Sequence, residues 1–101
     1  MISMNYKNIT AVIVTFKSEK VIFSCLRSIR YIKKIIIIDN SFDKKLKEKV
    51  LLKFPYVQFI LSPRNLGYSA GNNIGLKKVK TKYALILNPD TVLLNKCVDN
   101  L

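Results

Sequence analysis

Two of the six acidic residues stand where a small-ligand site would need them. Asp39 ends a run of four isoleucines, and Asp90 follows the apolar segment Tyr83 to Leu87 by three residues. If both segments are parallel strands, the two carboxylates lie at the carboxyl edge of the sheet, where open α/β folds bind ligands. A carboxylate there can accept hydrogen bonds from a ribose or a base. A carboxylate on a turn stiffened by Pro89, such as that of Asp90, can instead hold a divalent cation against a diphosphate.

A local structural role is the alternative for each of these acids. Asp39 could cap a turn formed with Asn40 and Ser41, and Asp90 could open a turn after Pro89. The two positions taken together favour the ligand interpretation, because the acids would then mark opposite ends of one bound nucleotide.

All three glycines fall within nine residues, in the segment RNLGYSAGNNIGL. Gly67 lies between a predicted strand and a predicted helix, where a turn needs positive φ, whereas Gly71 and Gly75 share one helical face. Two glycines in a helix cost about 1 kcal/mol each relative to Ala, so a close contact must offset them. Either the helix packs closely on the sheet, or a ligand lies against bare backbone. The segment also holds three asparagines, Asn65, Asn72 and Asn73, whose poor helix propensity but useful donors and acceptors favour the ligand.

Several classes of chemistry are excluded by what the sequence lacks. The absence of His excludes Ser-His-Asp and Cys-His catalysis and removes the commonest zinc ligand. The first predicted turn, TFKSEK, contains no glycine, so the dinucleotide-binding fingerprint is missing, and GxxxxGK[ST] is absent throughout. Cys25 and Cys97 form no CxxC motif and are interpreted as core thiols, which is typical of a reducing compartment.

The elements that position these residues follow from hydrophobic patterning. Four short β-branched runs predict strands covered on both faces, as in a parallel sheet. The predicted strands are Ile9 to Phe16, Lys34 to Asp39, Tyr56 to Leu61 and Tyr83 to Leu87. The predicted helices have apolar faces from Val21 to Ile32, from Leu46 to Phe54 behind an Asp43 cap, and from about Ser69 to Lys80. The alternation indicates right-handed βαβ units in a three-layer α/β/α fold.

The strongly basic composition has a second explanation besides solvated helix faces. The chain of 101 residues carries 18 Lys+Arg, 6 Asp+Glu and a net charge of +12. A non-catalytic basic α/β module that binds nucleic acid or an anionic membrane is therefore the alternative function. The lysines cluster on predicted helix faces with few aromatic residues between them, which argues against a surface for single-stranded nucleic acid. We expect neither a signal peptide nor a membrane-spanning segment.

Four segments resemble, in order and spacing, the N-terminal half of family 2 glycosyltransferases with the GT-A fold, close to their rhamnosyltransferase-like members. These segments are Val12 to Lys17 (VIVTFK), Ile36 to Ser41 (IIIDNS), Asn65 to Gly75 (NLGYSAGNNIG) and Leu87 to Thr91 (LNPDT). The resemblance covers essentially the whole chain. It implies one partial domain over residues 1–101, with a mainly parallel sheet in the order 3-2-1-4 and the acceptor-binding C-terminal half absent.

The resemblance also implies roles for individual residues. The implied nucleotide-sugar-binding residues are Thr15, Phe16, Lys17, Asp39, Asn40, Asn65, Gly71, Asn72, Asn88 and Asp90. The first three match the segment that cradles the base, and Asp39 matches the acid that contacts base or ribose. Asn88-Pro89-Asp90 stands where the family has its DxD motif. Asp90 therefore matches the carboxylate that binds Mg²⁺ or Mn²⁺, and Asn88 replaces the first acid.

The activity that the resemblance implies is transfer of a sugar from a nucleotide-diphosphate donor to an acceptor hydroxyl with inversion, in which the metal stabilises the departing diphosphate. Such enzymes take their general base from a second half, which would begin after Leu101, so no catalytic residue is assigned here. We expect a glycan or lipid-linked acceptor, a role in cell-surface polysaccharide synthesis, and a cytoplasmic location at the inner face of the cytoplasmic membrane with peripheral membrane contact. Because the last strand would be an exposed apolar edge, we also expect self-association.

Overall fold

The computed structural model describes residues 6–93, which form one parallel sheet with helices on both faces. A short 3₁₀ turn, Tyr6–Asn8, precedes the first strand. The strands are β1 (Ile9–Thr15), β2 (Lys34–Asp39), β3 (Gln58–Leu61) and β4 (Tyr83–Leu87). The helices are α1 (Glu19–Ser28), α2 (Lys44–Lys53) and α3 (Tyr68–Lys77). All strand pairs are parallel and their order is β3-β2-β1-β4, so the predicted fold class and strand order are confirmed.

The sheet has two apolar faces because alternate residues of its central strands point to opposite sides. Ile13 and Ile37 belong to the core cluster that includes buried residues of α1 and α2. Val14 and Ile38 belong to the other cluster, against which Ile74 of α3 packs. The chain runs outward from β1 to β3, and α3 then returns it to the far side of β1. The strand order therefore reverses between β1 and β4, which is the usual ligand-binding position in such sheets.

Element bounds agree with the sequence patterns to within a few residues. The bounds of β2 and β4 are those predicted, whereas Phe16 lies beyond β1 and β3 begins at Gln58. The predicted cap of α2 is confirmed, since Asp43 Oδ1 accepts a hydrogen bond from Leu46 N at 3.0 Å. The prediction that Val21 shares the apolar face of α1 is wrong. Val21 is 37% exposed, whereas the next residue, Ile22, is fully buried in the core cluster.

The cysteine prediction is confirmed where the structure describes it. Cys25 is a free, fully buried thiol in the core, and Cys97 lies outside the described residues. Within residues 6–93, no helix is long and apolar enough to cross a membrane.

Close packing of α3 on β1 explains two of the three glycines. A Cβ atom on Gly71 would lie 2.9 Å from both methyl groups of Val14, and one on Gly75 would lie 2.5 Å from Val12 Cγ1. Close packing therefore accounts for the glycines at these two positions without a ligand, because side chains of the sheet fill that space. Contact of Gly71 with a nucleotide sugar stays a prediction. Gly67 has open space around it but a φ of +84°, which confirms the predicted turn with positive φ.

Replacing Gly75 with Ala should lower the free energy of unfolding by about 1–3 kcal/mol, because the new methyl group overpacks against the stiff side chain of Val12. Helix propensity alone would predict the opposite, a gain of about 1 kcal/mol. Denaturant unfolding of G75A, V12A and the double variant measures the effect. The loss should shrink when Val12 is already Ala. If G75A is as stable as the wild type, the close contact does not explain the glycine.

Candidate ligand-binding site

The end of β2 is organised by a fully buried carboxylate. Asp39 is 0% exposed. Its Oδ1 accepts hydrogen bonds from Thr15 Oγ1 at 2.8 Å and from Ser41 Oγ at 2.7 Å. Its Oδ2 accepts one from the backbone N–H of Asp43 at 2.7 Å. The side chain thus joins the end of β1, the turn after β2 and the cap of α2, which is the turn-forming role considered as the alternative. Its contact with a base or ribose stays a prediction.

The neighbouring asparagines shape the loop that enters α3. Asn40 Nδ2 donates to the carbonyl oxygen of Gly67 at 3.0 Å, and its Oδ1 accepts from Leu66 N at 3.4 Å. Asn65 Oδ1 accepts from Gly67 N at 3.0 Å. Both side chains therefore hold the backbone just before α3, and the positive φ of Gly67 then turns the chain into the helix. The spacing of Asn65 and Gly67 in the NLGYSAG segment is thus explained by a turn in which the side chain of the first binds the backbone of the second.

A cavity of about 350 Å³ lies at the end of β1, at the point where the strand order reverses. Its size is at the lower end of the usual range for small-molecule sites, about 300–1,000 Å³. Its lining residues are Val14, Thr15, Phe16, Ser18, Asn40, Asn65, Gly67, Tyr68 and Pro89. Four of the predicted site residues are therefore brought together in one wall: Thr15, Phe16, Asn40 and Asn65.

Sequence reasoning did not assign five lining residues of this cavity as site residues: Val14, Ser18, Gly67, Tyr68 and Pro89. Tyr68 lies in the NLGYSAGNNIG segment and Pro89 in the LNPDT segment, so the sequence pattern indicated the region of the site but not these residues. Ser18 immediately precedes α1, and its hydroxyl accepts a hydrogen bond from Phe16 N at 3.1 Å. A serine just before a predicted helix indicates a cap at most, and here the hydroxyl folds the turn back instead.

The remaining predicted residues on the α1 and α3 sides lie around the cavity rather than in its lining. Lys17 adopts a left-handed backbone with φ of 52°, and its N–H donates to Ser41 Oγ at 3.2 Å. Gly71 is buried on β1 beside Asn40. Asn72 is buried, and its Oδ1 has no hydrogen-bond partner within the described part of the chain. That oxygen is a buried acceptor whose donor is not supplied by residues 6–93.

The turn after β4 presents the second predicted acid to solvent. Thr91 N donates to the carbonyl oxygen of Asn88 at 3.0 Å, which closes a four-residue turn with Pro89 at its second position. Asn88 and Asp90 are both exposed. The carboxylate of Asp90 forms no hydrogen bond or ion pair within residues 6–93. It is therefore free to bind a cation or a ligand, in contrast to Asp39.

The thiol beneath this turn is not a nucleophile. Cys25 Sγ donates to the carbonyl oxygen of Asn88 at 3.8 Å. Burial, and to a lesser degree the charge of Asp90, raises the pKa of Cys25 to about 11. The side chain is therefore a neutral thiol near neutral pH, since only the thiolate is reactive.

The start of α3 adds donors to the cavity. Gly67 is its N-cap and supplies no side-chain cap, and both Gly67 and Tyr68 line the cavity. The first backbone N–H groups of a helix lack intrahelical partners and carry a partial positive charge, so they favour a bound anion. An anionic ligand in this cavity would thus meet helix amides near one wall and the Asn88–Thr91 turn near another.

An open parallel sheet with a cavity at the reversal of its strand order defines a doubly wound α/β domain with a candidate ligand site at its carboxyl edge. Residues 10–101 match the family described as glycosyl transferase family 2. The chain belongs to that family, and the proteins of the family are transferases.

Two curated relatives agree with this assignment. The chain is 30% identical over 87 residues to the low-salt glycan biosynthesis hexosyltransferase Agl10 of Haloferax volcanii, an alignment that covers 82% of this chain and 28% of that protein. It is 35% identical over 77 residues to an uncharacterized glycosyltransferase of Haemophilus influenzae, covering 73% of this chain and 31% of the relative. The chain thus spans less than a third of the length of each of these relatives.

Replacing Asp39 with Asn should lower the free energy of unfolding by about 1–3 kcal/mol, because an amide cannot accept all the hydrogen bonds that the carboxylate receives. The same change at Asp43 is a matched control. Asn caps a helix about as well as Asp, so D43N should change stability by less than about 0.5 kcal/mol. Thermal and denaturant unfolding of both variants provide the comparison. Equal stability of D39N and D43N would show that the network around Asp39 contributes little.

Proposed function

We propose that the chain is the donor-binding part of a glycosyltransferase that transfers a sugar from a nucleotide diphosphate to an acceptor hydroxyl. The observation that carries this proposal is the cavity at the end of β1, where residues from the VIVTFK, IIIDNS and NLGYSAG segments form one wall and Pro89 of the LNPDT segment closes it. The family membership supplies the class of reaction.

The lining of the cavity suggests how a nucleotide diphosphate would lie in it. The ring of Phe16 is about half exposed in the lining and offers an apolar surface for a base. The diphosphate would lie toward the first amides of α3, which stabilise negative charge.

A divalent cation fits the Asn88–Thr91 turn only as an ion shared with the substrate. Residues 6–93 contain no group of three or more His, Cys, Asp or Glu side chains that could hold a metal. Asp90 supplies one unpaired carboxylate and Asn88 one amide oxygen, both hard ligands suited to Mg²⁺ or Mn²⁺. Phosphate oxygens and water would complete such a shell, as is common for Mg²⁺. When bound, the ion would stabilise the negative charge of the departing diphosphate.

Inversion, the acceptor and the cellular setting belong to the same proposal. Direct displacement with inversion needs a general base that removes the acceptor proton, and we assign no residue of this chain to that role. One relative is named for glycan biosynthesis. We extend this to cell-surface polysaccharide synthesis on a glycan or lipid-linked acceptor, in the cytoplasm at the inner face of the membrane.

In a test of donor binding, Mn²⁺ should tighten the binding of at least one of UDP, GDP and dTDP to the wild-type chain. Replacing Asp90 with Asn should weaken the metal-dependent part by at least about tenfold, because losing even an outer-shell partner of a metal costs about 10–100-fold. Binding without metal should change little. Isothermal titration calorimetry with and without Mn²⁺ measures both quantities.

The matched control is E48Q, which neutralises an exposed carboxylate on α2 away from the cavity. It should bind as the wild type does. If no nucleotide diphosphate binds in a metal-dependent way, or if E48Q loses as much affinity as D90N, the proposed metal position is refuted.

We also propose that the 101-residue chain self-associates through β4. This strand is the edge of the sheet, pairing with β1 on one side only among the described strands. Its Tyr83 is 51% exposed and its Ile86 43% exposed. An exposed apolar edge with unpaired backbone groups is a template for pairing with another chain.

Replacing Ile86 with Lys should reduce this self-association, because a charge on an edge strand opposes pairing. The matched control is L52K, since Leu52 is an 84% exposed apolar residue on α2. Sedimentation velocity at increasing concentration should show oligomers for the wild type and L52K, and mainly monomer for I86K. A wild-type chain that stays monomeric at high concentration would contradict the proposal.

A further inference from the structure

A second cavity opens at the opposite edge of the sheet from the candidate donor site. It has a volume of about 260 Å³ and lies among the starts of β1, β2 and β3 and the segment that follows α3. Four lysines contribute to its lining: Lys33, Lys34, Lys78 and Lys80. They come from two parts of the chain that are more than forty residues apart, so the fold and not the local sequence gathers them. We call this cavity the lysine groove.

The charges of the lysine groove have no acidic partner in the described structure. No Asp or Glu lines the groove, and none of its four lysines forms an ion pair within residues 6–93. Ordinary stabilisation of a helix end explains part of the cluster, because Lys78 and Lys80 follow the C-terminus of α3. It does not explain Lys33, which precedes β2, or Lys34, which begins it. Like charges drawn together without a counter-charge repel one another, so an anion bound among them would relieve that repulsion.

Among the neutral groups of the groove, Gln58 and Tyr56 can donate hydrogen bonds to a ligand, whereas the two threonine hydroxyls cannot. Thr81 Oγ1 donates to the carbonyl oxygen of Tyr83 at 2.9 Å, so in the 2.7 Å contact between Thr10 and Thr81 the hydroxyl of Thr10 is the donor. Both threonine protons are thereby used within the protein. The side chain of Gln58 is exposed in the lining without a partner in the described chain. Burial raises the pKa of Tyr56, which keeps its hydroxyl a donor.

The volume of the groove limits the size of its ligand. Sites for drug-sized molecules occupy about 300–1,000 Å³, so this groove suits a smaller group. Lysine ammonium groups are common ligands of phosphate, which they bind as point charges. We propose that the lysine groove binds a phosphate group, either free or as the head group of an anionic phospholipid.

The tyrosines of the same edge favour the phospholipid as the source of that phosphate. Four of the five tyrosines lie at or just before the start of a strand: Tyr6, Tyr31, Tyr56 and Tyr83. Three of these rings have a cation 4.5–5.4 Å from the ring centroid: Arg30 lies over Tyr31, Lys33 over Tyr56 and Lys82 over Tyr83. Tyrosine is enriched at membrane interfaces because its ring is apolar and its tip is polar. Basic residues at such a surface add attraction to anionic lipids.

The test compares two variants that lose the same charge. K34Q/K80Q removes one lysine from each segment of the groove, and K20Q/K45Q removes two exposed lysines from α1 and α2. Without metal, inorganic phosphate is titrated against sodium chloride of equal ionic strength, and backbone amide NMR shifts are recorded. Co-sedimentation with vesicles of phosphatidylcholine, with and without phosphatidic acid, tests the lipid. Titration of a nucleotide diphosphate with Mn²⁺ confirms that K34Q/K80Q is folded and keeps its donor site.

For the wild type we expect binding to vesicles that contain phosphatidic acid, weakened by about tenfold or more in K34Q/K80Q and clearly less in K20Q/K45Q. Shifts at residues 33–34 and 78–81 with inorganic phosphate, lost only in K34Q/K80Q, support the groove with free phosphate as its ligand. Vesicle binding without such shifts supports it with the lipid head group. Equal losses in the two variants, or no binding of either ligand, would overturn the proposal, whatever the nucleotide titration shows.

Discussion

The carboxyl edge of the sheet depends on the burial of one carboxylate. A buried charge is tolerated only when hydrogen-bond donors surround it. Asp39 finds such donors in a hydroxyl at the end of β1, a hydroxyl in the turn after β2 and a backbone N–H at the cap of α2. Because the donors come from three places, satisfying the charge fixes those places relative to one another. A backbone hydrogen bond also joins the ends of β1 and β2, since Asn40 N donates to the carbonyl oxygen of Thr15 at 2.8 Å.

The second constraint is the close approach of α3 to β1, which sets where the cavity lies. Gly71 and Gly75 allow the helix to rest on Val14 and Val12, and any larger side chain would push it outward. Asn40 ties the entry of the helix to the end of β2. The first amides of α3 are thereby held beside the end of β1, where an anionic ligand can meet them. Through their close contact with β1, these two glycines are in this way required for the shape of the candidate site.

Much of this arrangement could be predicted from the sequence, and there is a physical reason why the rest could not. Short apolar runs located β2 and β4 to the residue. For β2 the reason is that a parallel strand buried on both faces has a continuous apolar pattern, whereas β4 carries the same pattern although it is mostly exposed. The predicted strands also placed Thr15, Asn40 and Asn65 at the carboxyl edge of the sheet, because each of them lies at or after the end of a strand. Patterns give positions along the chain, whereas hydrogen-bond partners depend on residues brought in from elsewhere. That Asn40 binds the backbone at Gly67, 27 residues away, could not be deduced from spacing.

Parallel pairing itself decides where the charges of this protein meet. In a parallel sheet every strand starts at one edge and ends at the other, so residues that precede strands gather at one edge and residues that follow them at the other. Asp39 and Asp90 follow strands, and Lys33 and Tyr56 precede them. The net charge of +12 hides this separation, because it averages an edge that carries acidic residues with one lined by lysines. A chain of this composition can therefore present a site for a cation-bound diphosphate and a surface for an anion without the two competing, since the length of the strands separates them.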